Sequence, residues 1–213
     1  MKGSGYVLAY ALVTGLVVSA VLTAVGQMTA PYRQANERAE QVKNILEVLG
    51  VPVPRGVTAR GLVALYEQTV AEQRRGELIL YRFAAAGDAS AQAFATRFEG
   101  PGLWGPIKGF LALEPDGHTI RGITFYQQEE TPGLGGEIVS PKFRKRFVRK
   151  SIGEPDGTLG LRIVPPGTAK ADNEVDAVTG ATMTSSRVEA MLNECITKLF
   201  ADAQRLSGEG GHE

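Results

Sequence analysis

Asp176-Ala177-Val178-Thr179-Gly180-Ala181-Thr182-Met183-Thr184-Ser185-Ser186 runs directly into a helix pattern. Val188, Met191, Leu192, Cys195, Ile196, Leu199 and Phe200 follow at i, i+3 and i+4 spacing, which lays an apolar stripe along one helix face. The quoted stretch is therefore a helix entrance. Such an entrance offers backbone N–H groups with no intrahelical partner, at the positive end of the helix dipole, and so suits a phosphate. Gly180 and Ala181 let another group approach the backbone, and Thr182 adds a hydroxyl at the turn. On local grounds the same residues also read as an N-cap cluster, in which Thr182, Thr184 or Ser185 caps the helix and nothing binds.

Working back along the chain, Glu129-Glu130-Thr131-Pro132-Gly133-Leu134-Gly135-Gly136-Glu137 forms a second block. Its glycines and proline make a tight loop after a strand, where backbone N–H groups can come close to a planar or anionic ligand. No Gly-Lys-Ser/Thr follows, so it is not a Walker loop, and its spacing is not that of a dinucleotide fingerprint. A third block, Gly100-Pro101-Gly102-Leu103-Trp104-Gly105-Pro106, is a loop by composition and holds the single tryptophan.

Asp176, two spacer residues and then Thr179-Gly180-Ala181-Thr182 resemble the flavinylation motif of the FMN-binding domain family. With the Leu-Trp-Gly block, Phe110–Glu114 and the Glu130–Ile138 block in this order, the chain is similar to the C subunits of Na+-translocating NADH:quinone reductases. The G subunits of Rnf electron-transport complexes share the threonine motif and the general plan. The resemblance implies FMN joined through its phosphate to Thr182 by a flavin transferase. It also implies Thr179, Gly180 and Ala181 at the phosphate, with Asp176 as part of what the transferase recognises. Glu130, Thr131, Gly133, Leu134, Gly135, Leu103 and Trp104 would flank the ring. By the same resemblance the chain is a relay subunit of an oxidoreductase complex that moves Na+, with other membrane subunits as partners. Its soluble domain would face the periplasmic side of the inner membrane. Two other readings remain on the residues alone: a stand-alone anchored flavoprotein reductase, and a non-catalytic anchored interaction domain.

Tyr6 to Met28 carry no charged side chain. A helix of that length crosses a bilayer core of ~30 Å, whereas the apolar part of a signal peptide is shorter, at ~7–15 residues. The expectation is a membrane anchor over residues 1–30, a domain over 31–206 and a disordered tail over 207–213. Lys+Arg and Asp+Glu both number 23 among the 213 residues, which argues against a nucleic-acid partner. The one cysteine, Cys195, lies on the apolar helix face and reads as a packed thiol. There is no HExxH or CxxC, so a metal site is not expected, and no residue is assigned a catalytic role.

Between these blocks the pattern predicts helices over 32–50 and 58–73. Strands are expected over 77–84, 110–114, 119–126 and 158–164, and residues 91–99 read as either helix or strand. Lys142, Arg144, Lys145, Arg146, Arg149 and Lys150 around Phe143 and Phe147 read as a helix with a solvated basic face, or as a lipid or phosphate contact. His118 falls in a Pro-Asp-Gly-His turn and should be solvated. The fold expected is α+β: a twisted, mostly antiparallel sheet with packed helices, preceded by one N-terminal transmembrane helix.

Overall fold

The structure is a computed structural model and describes residues 3–76, 78–83, 93–153 and 159–209, with side chains described as far as residue 201. The chain divides into two compact units, Met1–Glu40 and Gln41–Glu213. The first unit is helical. It belongs to helix α1, Gly3–Leu49, which continues through Pro31. Residues 3–29 are exposed along their whole length, and the helix is long and apolar enough to cross a membrane. The helix expected over 32–50 is the continuation of this one and is not a separate element.

The second unit is built on a five-stranded sheet in the order β1-β2-β3-β4-β5, each strand antiparallel to the next. The strands are β1 (Val70–Arg75), β2 (Leu78–Phe83), β3 (Ala93–Pro101), β4 (Pro106–Leu113) and β5 (Ile120–Gln127). Strand β4 is buried on both faces, and its side chains alternate between them. Phe110 and Ala112 pack with Tyr81, Phe83 and Ala95 against Val42, Ile45, Leu46 and Leu49 of α1 and Tyr66 of α2 (Ala59–Thr69). Leu111 and Leu113 pack with Phe98, Ile123 and Phe125 on the other face, against Val188, Met191, Leu192, Cys195 and Ile196 of α4 (Thr182–Glu209). Each such fully buried large side chain contributes roughly 1.5–3 kcal/mol of transfer free energy. The Cys195 thiol sits in this layer, and burial pushes its pKa up to about 12, so it is a core thiol. A short parallel pair, β6 (Arg162–Val164) and β7 (Glu174–Asp176), completes the α+β fold.

Further expectations change, among them the strand expected over 158–164, which is paired only over Arg162–Val164. The helix predicted over 58–73 ends at Thr69, and Val70–Arg75 pair with Phe83–Leu78 as an edge strand. Glu-Gln-Arg-Arg favours a helix locally, but the backbone pairing with β2 outweighs that preference. Residues 91–99 resolve as strand over Ala93–Pro101, while 91 and 92 lie outside the described residues, as do 77, 84 and 158 from the other expected strands. The basic helix predicted over 139–150 is replaced by a 3-10 turn (Gly135–Val139), helix α3 (Pro141–Arg144) and a second 3-10 turn (Lys145–Phe147). The reason is that Arg149, at φ 66°, turns the chain back, so that its N–H bonds Ile120 O and Lys150 O accepts from Ile120 N. Phe143 and Phe147 stay buried by this route. His118 is exposed in its turn. Helix α4 runs to Glu209, and residues 210–213 of the expected tail lie outside the described residues.

Gly109 on β4 faces Phe98 and Thr124 so closely that a Cβ there would overlap the Phe98 ring and the Thr124 carbonyl oxygen. Gly109→Ala is expected to destabilise the domain by about 1–3 kcal/mol or more, through forced overpacking between two central strands. Urea unfolding of the full chain in detergent would show this as a lower midpoint with an unchanged slope.

Candidate functional site

The start of α4 is set by a turn. Ala181 N donates to Val178 O at 3.1 Å, and Gly180 between them has φ +75°. That conformation suits glycine at the third position of a type II turn. Ser185 Oγ accepts from Val178 N at 3.2 Å and fastens the turn to the first helical turn. Thr182 is the first helical residue and is exposed, while Thr184 and Ser185 are buried. The hydroxyls of Thr184 and Ser185 are thus used elsewhere and do not form a capping cluster. Among the described residues, the N–H groups of Thr182, Met183 and Thr184 have no hydrogen-bond partner, as expected of a helix entrance.

The glycine-rich block meets this turn. Thr131 O accepts from Leu134 N at 3.1 Å and from Gly136 N at 2.9 Å, and Gly133 sits at φ +75°. This folds the loop so that Leu134 stands out, 46% exposed, while Gly135 and Gly136 are buried. A Cβ on Gly180 would lie 3.3 Å from Leu134 Cδ2, so the two blocks touch there. The third block is a tight turn closed by Gly102 N donating to Gly105 O at 2.8 Å, with Leu103 38% and Trp104 72% exposed. Arg187 of α4 reaches this turn, its Nη1 donating to Pro101 O at 3.4 Å.

Glu130 joins all three segments. It is 4% exposed. Its Oε1 accepts from Leu103 N at 2.7 Å and Trp104 N at 3.4 Å, and its Oε2 accepts from Thr184 Oγ1 at 2.6 Å. The backbone closes in on both oxygens. A Cβ on Gly102 would lie 2.5 Å from Oε1, and one on Gly135 would lie 2.7 Å from Oε2. Among the described residues no cation pairs with this carboxylate.

Asp176 points elsewhere. Its Oδ1 accepts from Gly167 N at 2.7 Å and from Thr168 N and Ala169 N at 3.1 Å. The bond from Ala169 N is the largest cause holding its carboxyl below the usual range, and the nearby Arg146 guanidinium adds to it. Arg146 Nη1 also donates to Asp176 O at 2.8 Å and Ala177 O at 2.7 Å, fixing the entry to the threonine stretch. So Asp176 orders the preceding loop, a role that spacing along the chain does not reveal. Sequence reasoning named Thr184 only as a candidate cap and Arg146 only within a basic group, and missed what each one ties together. Thr184 lies in plain view within the quoted stretch, and only its partner across the fold shows its use.

The result is an exposed threonine at the start of a helix, with free N–H donors beside it. Around it stands an apolar rim of Leu103, Trp104, Leu134 and Met183, the last 63% exposed. Beside Leu103 and Trp104 lies a depression of about 650 Å³ that extends to Arg97 and Lys108. Residues 102–197, which include most of the three blocks, match the model of the FMN-binding domain.

The chain is also similar to proteins named as the C subunit of Na(+)-translocating NADH-quinone reductase. It is 45% identical to that of Pasteurella multocida over 91 residues, 43% of this chain and 35% of the relative. It is 36% identical to that of Pseudomonas aeruginosa over 140 residues, 64% of this chain and 54% of the relative. The chain thus spans between a third and about half of the length of these curated relatives. Among solved structures, the C subunit of the reductase from Parabacteroides distasonis matches at TM-score 0.65 and 26% identity, over 76% of this chain and 90% of that one. NqrC of Shewanella oneidensis matches at TM-score 0.65 and 21% identity, over 75% and 91%, and shares the fold.

The Asp176 carboxyl has its pKa lowered on folding. Its stabilisation is therefore present above the ordinary carboxylate range, near ~3.9, and is lost as pH falls through the lower folded value. Asp176→Asn should lower stability at neutral pH and flatten the acid limb below about pH 4. Urea midpoints measured against pH for the two proteins check this.

Proposed function

We propose that the chain is a membrane-anchored electron-transfer subunit that carries FMN joined through its phosphate to Thr182. It would act within an NADH:quinone reductase complex of the Na+-translocating type. The observation that carries this reading is the exposed Thr182 at the start of α4, beside three unpartnered N–H groups and inside an FMN-binding domain match. The names of the similar proteins supply the complex.

The residues present fit the cofactor. Thr182 is exposed, so its hydroxyl is open to a transferase that would join it to the FMN phosphate as a phosphoester. The N–H groups of Thr182, Met183 and Thr184 and the helix dipole would hold the remaining phosphate oxygens. Gly180 and Ala181 leave the approach clear, with Thr179 exposed beside them. Leu103, Trp104, Leu134 and Met183 would shield the apolar ring from water. The exposed Thr131 and the backbone of Gly133 would serve its polar edge. Bound FMN supplies electron transfer, and the chain supplies position and electrostatics.

Helix α1 is the candidate anchor, long and apolar enough to cross the inner membrane once; the periplasmic side of the soluble unit is taken from the family resemblance alone. The partners are the other membrane subunits of the complex and, during maturation, a flavin transferase. The chain is a relay component and not a complete enzyme.

Expression of the full chain with a flavin transferase should add the mass of one FMN less one water, and the denatured band should fluoresce. Thr182→Ala should abolish both while costing no more than about 1 kcal/mol in stability, since the side chain is exposed and caps nothing. A wild-type chain with no added mass beside an active transferase refutes the covalent assignment.

A further inference from the structure

We propose that Glu130 is a positioning residue for the flavin site. Its carboxylate locks the Leu103–Trp104 turn and the Leu134 loop onto the start of the Thr182 helix, and its fixed charge keeps the potential of bound flavin lower than a neutral side chain would. The inference rests on the flavin reading above and concerns a residue that the ring itself need not touch.

The geometry supports the positioning role. One side chain accepts from two segments: Leu103 N and Trp104 N at Oε1, and Thr184 Oγ1 at Oε2. The exposed apolar residues of the rim all lie on the segments so joined: Leu103 and Trp104 on the turn, Leu134 on the loop that follows Glu130, and Met183 next to Thr184. Gly102 and Gly135 have room for no Cβ: at Gly102 it would meet Glu130 Oε1 and the Gly105 carbonyl oxygen, and at Gly135 the Thr184 hydroxyl and Glu130 Oε2. The two glycines are therefore fitted to the carboxylate as well as to their turns.

The charge argument is separate. A glutamine would reach the same partners: its oxygen can accept from Leu103 N–H, and its amide can donate to the Thr184 oxygen. Burying a carboxylate with no paired cation is the costlier choice. Here its charge is held by donors from N–H and O–H groups and by the N-terminal end of α4. A charge so placed, in a poorly hydrated site, disfavours the addition of an electron to a nearby flavin.

The test separates the two roles with Glu130→Gln and Glu130→Asp in the full chain in detergent. Trp104 is the single tryptophan, so its emission reports directly on the turn. In the flavin-free chain, Glu130→Asp is too short to reach both partners and should raise acrylamide quenching and lower anisotropy. Glu130→Gln should stay near wild type. In the flavin-loaded chain, potentiometric titration with dithionite should move the midpoint to a more positive value in Glu130→Gln, beyond any shift in Glu130→Asp. An unchanged midpoint in folded Glu130→Gln overturns the charge role. Wild-type Trp104 behaviour in Glu130→Asp overturns the positioning role. If Glu130→Asp does not fold, Thr184→Val, which removes one of the tethers, replaces it with the same readings. A wild-type chain that takes up no flavin refutes the proposed function, while the Trp104 reading in the flavin-free chain still decides whether Glu130 orders the turn.

Discussion

Strand β4 must be covered on both faces, and much of the domain follows from that requirement. Phe110 and Ala112 point one way and Leu111 and Leu113 the other, and all four are nearly inaccessible to solvent. A sheet with such an interior strand cannot stand with one face in water. The last turns of α1 with α2 close one side, and α4 with the short β6–β7 pair closes the other. Close strand contact at Gly109 leaves no slack in this arrangement. The registers of β3 and β5 against β4 place the turn at 102–105 and the loop that begins at 128 at the same end of the sheet.

The site is a consequence of that cover. Helix α4 buries Val188, Met191, Leu192, Cys195 and Ile196 on the sheet, and this brings its N-terminal turn to the end where the two loops emerge. Buried polar groups then finish the assembly. Glu130 ties the loops to Thr184, Ser185 holds the turn before the helix, and Arg146 and Asp176 order the approach. Each of these bonds satisfies donors that would otherwise be left without partners, which is why they are specific as well as stabilising. What remains exposed is Thr182 and an apolar rim around it. The exposed tryptophan, leucines and methionine form the apolar rim that the proposed flavin reading uses.

Much of this is legible in the chain. The apolar stripe from Val188 to Phe200 announces α4, the uncharged run from Tyr6 to Met28 announces a long apolar helix, and the Pro-Asp-Gly-His turn marks the β4–β5 connection. Thr182 at a helix entrance is also readable, because hydroxyl, glycine and periodic apolar residues lie next to one another. Val70–Arg75 carry residues that favour a helix, and pairing with β2 outweighs that preference. The basic stretch keeps short helical turns as far as Phe147 and leaves them at Arg149, where the chain turns to pair with Ile120. The family resemblance gives Asp176 to recognition by a transferase, and the structure adds that its carboxylate takes three backbone N–H groups of the preceding loop.

The sequence alone determined the long apolar helix, α4 and its entrance at Thr182, the β4–β5 hairpin and the order of the three glycine-bearing blocks, since these depend on periodicity and on residues close in the chain. Only the tertiary structure decided that Glu130 is a buried tether. Its partners Leu103 and Thr184 lie 27 and 54 residues away. Nothing in local chemistry marks one glutamate of the Glu129-Glu130 pair as the buried one. That depends on which side chain the sheet turns inward, and so on packing that only the folded chain possesses.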